Sequence, residues 1–197
     1  MSRWVETPNL IGDHVRLEPL QMHHAEGLLA ASDDDEVFTW QLFHRPTTLA
    51  KAEQLIDLYL SRANTLSWAQ IDQRSNEVAG LTTYYDIDPA RRTVAIGATW
   101  LGRRFWRTGI NTEAKLVLLR RAFDELGCAR VVWHVDIKNE RSQAAVERIG
   151  GVREGVLRKH IVRRDGSWRD TVLYSMIDEE WPAARDTLEQ RLAAHAS

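Results

Sequence analysis

Three arginines crowd one turn of this chain, in the stretch Arg103-Arg104-Phe105-Trp106-Arg107-Thr108-Gly109-Ile110-Asn111-Thr112-Glu113-Ala114. Downstream, Ala114, Val117, Leu118, Phe123 and Leu126 recur at helical spacing until Gly127 stops them. Upstream, Thr93 to Leu101 is a β-branched and apolar run that reads as a strand. A strand that turns directly into a helix leaves the first helical N–H groups unpartnered at the positive end of the dipole. With arginines around it, such a turn is suited to holding a phosphate. Solvated surface arginines are the plain alternative. Glu113 suits the dipole without any ligand and would repel a phosphate placed too close. The turn is neither a Walker loop nor a Gly-x-Gly-x-x-Gly dinucleotide turn.

A second chemical candidate is His160, in the run Val156–Arg163 beside Arg158, Lys159 and Arg163. Histidine is the natural base near neutral pH, and adjacent positive charge would keep it neutral. A histidine on a strand can equally be structural; His134, Asp170 and Tyr174 are further candidates. Asn139, after the β-like run Arg130–Asp136, reads as an N-cap for a helix through Ile149.

The remaining elements must position these groups. Val15–Leu20 reads as a strand, His23–Ala31 as a short helix, and Thr48–Asn64 as an amphipathic helix. Leu66–Asp72 and Val78–Asp86 read as strands joined by the polar connection Gln73–Asn76. Strands over about Val156–Arg163 and Thr171–Ile177 flank the turn dipeptide Asp165-Gly166. Gly97 inside its strand suggests a bulge. The order is β-α-α-β-β-β-α-β-α-β-β, a single mixed α/β domain over residues 1–197, with 1–12 as an N-terminal extension and 180–197 as a polar, helix-prone tail.

Composition narrows the function. The net charge is −2, which leaves no electrostatic footprint for nucleic acid. A single cysteine, Cys128, rules out an internal disulfide and a cysteine metal cage. No apolar run is long enough to span a membrane and the N-terminus has no signal-peptide core, so the expected location is cytoplasmic. Eight tryptophans are many for this length, and some should line a groove.

The stretch Trp106–Ala114 resembles the pyrophosphate loop of GNAT-type acetyltransferases, in the branch of the ribosomal-protein N-terminal acetyltransferases. Two positions depart from that pattern: Arg107 stands where glycine is usual, and Asn111 where glycine or alanine is usual. Asn139 to Gly150 resembles the family's Asn-x-x-Ser helix, and the two motifs, each after a strand, follow in the family's order. The resemblance spans roughly Val15 to Ile177. It implies a GNAT-like fold with a mixed, largely antiparallel sheet of about six to seven strands flanked by helices. It also implies acetyl-coenzyme A as cofactor, held by Thr99, Trp100, Leu101, Arg104, Arg107, Thr108, Gly109, Ile110, Asn111, Thr112, Asn139 and Ser142. The common acid of the family, a tyrosine, is replaced here by Val146, which leaves Ser142 as the donor near the sulfur. His160 is the candidate base.

Phe38, Trp40, Tyr84, Tyr85 and Trp168 fall at element ends and are expected to wall the amine acceptor's slot. The acidic run Asp33–Glu36 is expected near its mouth, or else as a solvated, helix-capping loop. A homodimer interface is the other use for these rings. Three functional readings stay open: transfer to a protein N-terminal amine, transfer to a small amine such as an antibiotic, and acyl-coenzyme A binding without catalysis.

Overall fold

Eight strands form one sheet in the order β1-β2-β3-β4-β5-β6-β8-β7 in a computed structural model describing residues 3–195. The strands are β1 (Leu10–Ile11), β2 (Val15–Pro19), β3 (Leu66–Asp72), β4 (Val78–Asp88), β5 (Thr93–Leu101), β6 (Arg130–Asp136), β7 (Val152–Val162) and β8 (Trp168–Ile177). The helices are α1 (Ala25–Ala31), α2 (Leu49–Leu60), α3 (Ile110–Arg120), α4 (Glu140–Arg148) and α5 (Trp181–His195). A π-helical turn over Arg121–Glu125 extends α3. The predicted α/β architecture is the one observed, with β1 as the strand the sequence did not signal. Two residues are too short a run to carry a periodicity.

Alternation along the strands splits the core in two. Trp68, Tyr84, Ile96, Trp133 and Tyr174 face the side covered by α3, α4 and α5. Ala69, Ile71, Leu81 and Trp100 face α1 and α2. Period-two side-chain direction makes this division, since neighbours in a strand point to opposite faces.

Every pairing is antiparallel except β5 with β6, which is parallel and confined to Thr93–Ala95 against Arg130–Val132. Beyond Ala95, β5 stays with β4 as far as Leu101, while β6 stays with β8 as far as Asp136. The two strands therefore part, and a gap opens in the middle of the sheet. The loop that leads into α3 lies at the end of β5, beside this gap.

Both chain ends are more firmly held than the sequence suggests. The expected polar tail buries Trp181, Ala184, Leu188 and Leu192. Trp181 stacks on Phe123 with centroids 5.6 Å apart and donates its Nε1–H to Asp124 at 2.8 Å. In the N-terminal extension, the carbonyls of Arg3 and Glu6 accept from Arg121, and Pro8 accepts from the Trp68 indole. Residues 1, 2, 196 and 197 lie outside the described residues.

Candidate active site

The loop from Arg103 to Gly109 delivers α3 with Gly109 as its N-cap; Thr108 Oγ1 accepts from the Ile110 amide at 3.4 Å. The amides of Asn111 and Thr112 follow it in the first turn, at the positive end of the dipole. Arg107 holds φ at +62°, the left-handed conformation that glycine adopts without strain, at the very position where the motif departs from glycine. Asn111, the other departure, sits inside the first turn of α3 and needs no unusual backbone. Gly109 is required for space: a Cβ there would come within 2.8 Å of the His14 ring.

Glu113 does not point at the phosphate position. Its carboxylate accepts from the amides of Asp13, His14 and Val15 at 2.8, 2.6 and 2.8 Å. It bolts the β1–β2 turn to α3, so the expected repulsion of a phosphate is turned aside. Arg104 reaches Glu77 at 3.4 Å, away from the gap. Arg107 and Thr108 are exposed, Ile110 is buried, and Thr112 is half-buried. Across the gap, the Asn139 side chain accepts from Ser142 N at 3.1 Å, the N-cap that the sequence predicts.

The bulge anticipated from Gly97 is present one residue later. Leu81 pairs with Trp100 and Thr83 with Gly97, so β5 carries one extra residue, and Ala98 takes φ +48°. Gly97 has a different use: a Cβ there would meet the Tyr85 ring at 2.7 Å. Tyr85 crosses over that bare position and donates to, or accepts from, His134 Nδ1 at 2.8 Å. His134 in turn lies 5.6 Å from His160, ring to ring, and His160 Nδ1 lies 3.1 Å from Thr171 Oγ1. Burial holds His134 below the ordinary histidine range, and neighbouring His160 adds to the effect. A tyrosine and two histidines thus form a polar line on the α1/α2 face of the gap.

A cavity of about 350 Å³ opens on that same face, lined by Trp40, Gln41, His44, Asp136, Arg163 and Arg164 among others. Arg164 closes one side by donating to the Phe38 and Phe43 carbonyls. Asp136 lies at the cavity with a two-point pair to Arg163 at 2.7 and 2.9 Å, which lowers its pKa against the desolvation that would raise it. Gln41 links cavity to gap, donating to the Thr99 carbonyl at 3.2 Å.

The five aromatic rings expected around the acceptor are dispersed. Trp40 lines the cavity. Tyr85 belongs to the polar line. Tyr84 is wholly buried on the α3 face, with its hydroxyl on the Leu118 carbonyl, so it is core and not a wall. Phe38 is also buried, packed on Trp100, and reaches the site only through its carbonyl. Trp168 is 54% exposed at the start of β8 and lies outside the cavity lining. Element ends are poor guides here, because strand parity sends the neighbours Tyr84 and Tyr85 to opposite faces of β4.

The acidic run is also occupied. Asp33 accepts from Arg103 N, Asp34 caps the following turn, Asp35 pairs with Arg45, and Glu36 pairs with both Arg103 and Arg141. Those two arginines sandwich the Trp106 indole, at 4.2 and 3.7 Å from its centroid. The run anchors the phosphate loop instead of standing free at a substrate's approach.

A loop with free helical amides, a parted pair of parallel strands and a bulge on the inner strand suit a cofactor that carries a phosphate at one end. Residues 14–152 match the sequence model of the acetyltransferase (GNAT) domain. The chain belongs to the GNAT acetyltransferase family. A GCN5-related N-acetyltransferase from Brucella melitensis is 35% identical, with a TM-score of 0.92 over 96% of this chain and 87% of that one. The Bacillus subtilis protein YdaF, provisionally named a ribosomal N-acetyltransferase, is 35% identical over 53% of this chain and 56% of its own length. MccE, a microcin C7 self-immunity acetyltransferase solved with acetyl-CoA and AMP, is 25% identical, with a TM-score of 0.74 over 87% of this chain and 97% of that one. As a GNAT protein the chain is an acetyl-CoA-dependent N-acetyltransferase. Among the described residues no helix is long and apolar enough to cross a membrane.

Proposed function

We propose that this GNAT enzyme passes the acetyl group directly to the α-amine of a protein N-terminus, with donor and acceptor bound together. Transfer to an amine requires that its nitrogen be neutral and lose a proton as the amide forms. The observation that carries the proposal is the line Tyr85–His134–His160 on the acceptor face. Burial keeps His134 neutral, and a neutral histidine is a base of moderate strength. A free α-amine titrates near ~8 and a lysine side chain near ~10.4, so a base of this strength serves the α-amine better.

In this reading the gap between β5 and β6 would take acetyl-CoA. The amides of the Thr108–Thr112 stretch, with Arg107 beside them, would hold its pyrophosphate, and Thr99, Trp100, Leu101, Asn139 and Ser142 would hold its pantetheine arm. Acetyl-CoA supplies an acyl carbon activated as a thioester. An amide at the Ala98 bulge would serve the carbonyl oxygen, and the Ser142 hydroxyl would serve the sulfur. The amine enters through the cavity between Trp40 and Arg163.

The cavity's volume of about 350 Å³ favours a second reading, since it equals that of a small-molecule site. Thiol release measured with short peptides bearing free N-termini, with lysine-containing blocked peptides and with small amines separates the two. Turnover on free N-termini at least tenfold above the others is expected. Preference for a small amine would replace the first reading by the second. No turnover on any amine, with coenzyme A still raising the melting temperature, would leave only binding.

A further inference from the structure

Lys115 lies on α3 and is only 7% exposed. Helical side chains lean back toward the N-terminus, so its stem runs toward the phosphate loop and the inner strand. The ammonium donates to Thr99 Oγ1 at 2.8 Å. Thr99 Oγ1 lies 2.8 Å from Thr82 Oγ1 and 3.4 Å from the Gly97 carbonyl. The Thr99 hydroxyl is the group it meets, and the Thr82 hydroxyl of β4 stands behind it. The nearest acid along its helix, Glu113, is turned away onto residues 13–15. Among the described residues no carboxylate forms an ion pair with Lys115, and desolvation is the one cause acting on its titration, drawing it down to about 7.

Packing gives no reason for a cation at this position, since a methionine would fill the space without a buried charge. Its address supplies one. Thr99 follows the bulge residue Ala98, on the part of β5 that has already left β6. Lys115 therefore reaches β5 from the α3 face, over its seam with β4, while Tyr85, His134 and His160 line the α1/α2 face. A proton donor and a set of proton acceptors stand on opposite faces of the sheet, with β5 and its bulge between them.

We propose that Lys115 protonates the departing sulfur of coenzyme A, a proposal that rests on the gap being the site of transfer. The amine nitrogen attacks the thioester carbon, and the new C–N bond forms as the C–S bond breaks. The C–S electron pair goes to sulfur, which takes a proton from Lys115 Nζ. The proton lost by the amine goes to the histidine line, and Lys115, now neutral, regains its proton from solvent. An acid that titrates near 7 gives its proton readily to a thiolate whose thiol titrates near ~8.5. A serine hydroxyl such as that of Ser142 can hydrogen-bond the sulfur but is too weak an acid for this.

The test uses Lys115→Met and Lys115→Arg in the full chain. With coenzyme A bound, the ultraviolet absorbance of its thiolate is followed against pH. The thiol is expected to ionise at least one pH unit lower in Lys115→Arg, whose charge persists at every pH, than in Lys115→Met, with the parent between the two. In steady-state kinetics Lys115→Met should lose about 100-fold in kcat, with the acetyl-CoA KM changed by less than about threefold. An unchanged thiol titration and an unchanged kcat in Lys115→Met would overturn the proposal and return Lys115 to support of the bulge. Coenzyme A that binds the parent while free N-termini are not acetylated would sink the acceptor assignment alone, and the thiol titration would still decide on Lys115. Failure of coenzyme A to bind the parent would overturn both.

Discussion

Glu113 and Lys115 stand two residues apart on α3, and both are more than nine-tenths buried, at 5% and 7% exposure. Their surroundings are opposite. Glu113 is met by three backbone N–H groups that no other element satisfies, so the charge and its donors stabilise each other. Lys115 is met by one hydroxyl and no counter-charge. Both charges follow from helix geometry, which sends neighbouring positions to different sides, one toward the β1–β2 turn and one toward the bulge of β5. The comparison teaches that burial alone does not mark a functional ion. A saturated charge holds the loop in place, whereas an unsaturated one awaits a partner that folding does not provide.

Breaking the saturated member should produce the largest effect. Glu113→Ala leaves three amides without their acceptor, that of Val15 buried, and a loss of about 3 kcal/mol in urea unfolding is expected. A loss under about 1 kcal/mol would mean that water reaches the turn.

The proton acceptors on the far face come next. His160→Gln should lower kcat about 100-fold. Because His134 titrates below its ordinary range, activity in the parent should hold through pH 6.5 and fall only at lower pH. Tyr85→Phe should displace that acid limb. A limb unmoved by either substitution would remove the histidine line from the chemistry.

Lys115→Met should then stabilise the fold, by roughly 2 kcal/mol at pH 6. The sign follows from the lysine's folded value near 7 against about 10.5 in the unfolded chain. Between those values the unfolded chain binds more protons, so the parent gains stability as pH rises. The burden of the buried ammonium is full below pH 7, and the advantage of the methionine variant should shrink toward pH 10. Parallel stability curves across that range would show that the ammonium is solvated in the folded protein.

The smallest effect is expected at Arg107. Arg107→Gly relieves a left-handed residue, worth about 1 kcal/mol, but loosens the unfolded chain, for a net gain near ~0.5 kcal/mol. Coenzyme A affinity, measured in parallel, sharpens the point. A tenfold weakening would assign Arg107 a phosphate contact, and an unchanged affinity would make it a tolerated substitute for glycine.

Much of this was legible from local pattern. Thr93–Leu101 and Arg130–Asp136 follow from apolar and β-branched composition, and Leu66–Asp72 from the polar connection after it; they agree residue for residue with β5, β6 and β3. Asn139 reads as a cap and acts as one, and Thr48, read as the first residue of its helix, is the cap of α2. The tail is helical as expected, but its burial is not legible in the sequence, because Trp181, Ala184, Leu188 and Leu192 are spread among polar residues and the surface they bury against comes from distant elements, α3 and Phe123 among them. Lys115 left one trace, a lysine within the otherwise apolar run Ala114–Leu119. A lysine at that place reads as surface until the neighbour is known.

The sequence by itself determined the order of elements, the strand–turn–helix with its arginines and the family, because these rest on residues near one another in the chain. Tertiary structure alone decided which buried groups are saturated. It brought Tyr85, His134 and His160 into one line from three strands, drew the acidic run Asp33–Glu36 onto the arginines of the loop, and set Lys115 against Thr99 at the edge of the gap. The reason is physical: a charge's partner comes from whichever element packs against it, and strand parity and register choose that element across long stretches of chain.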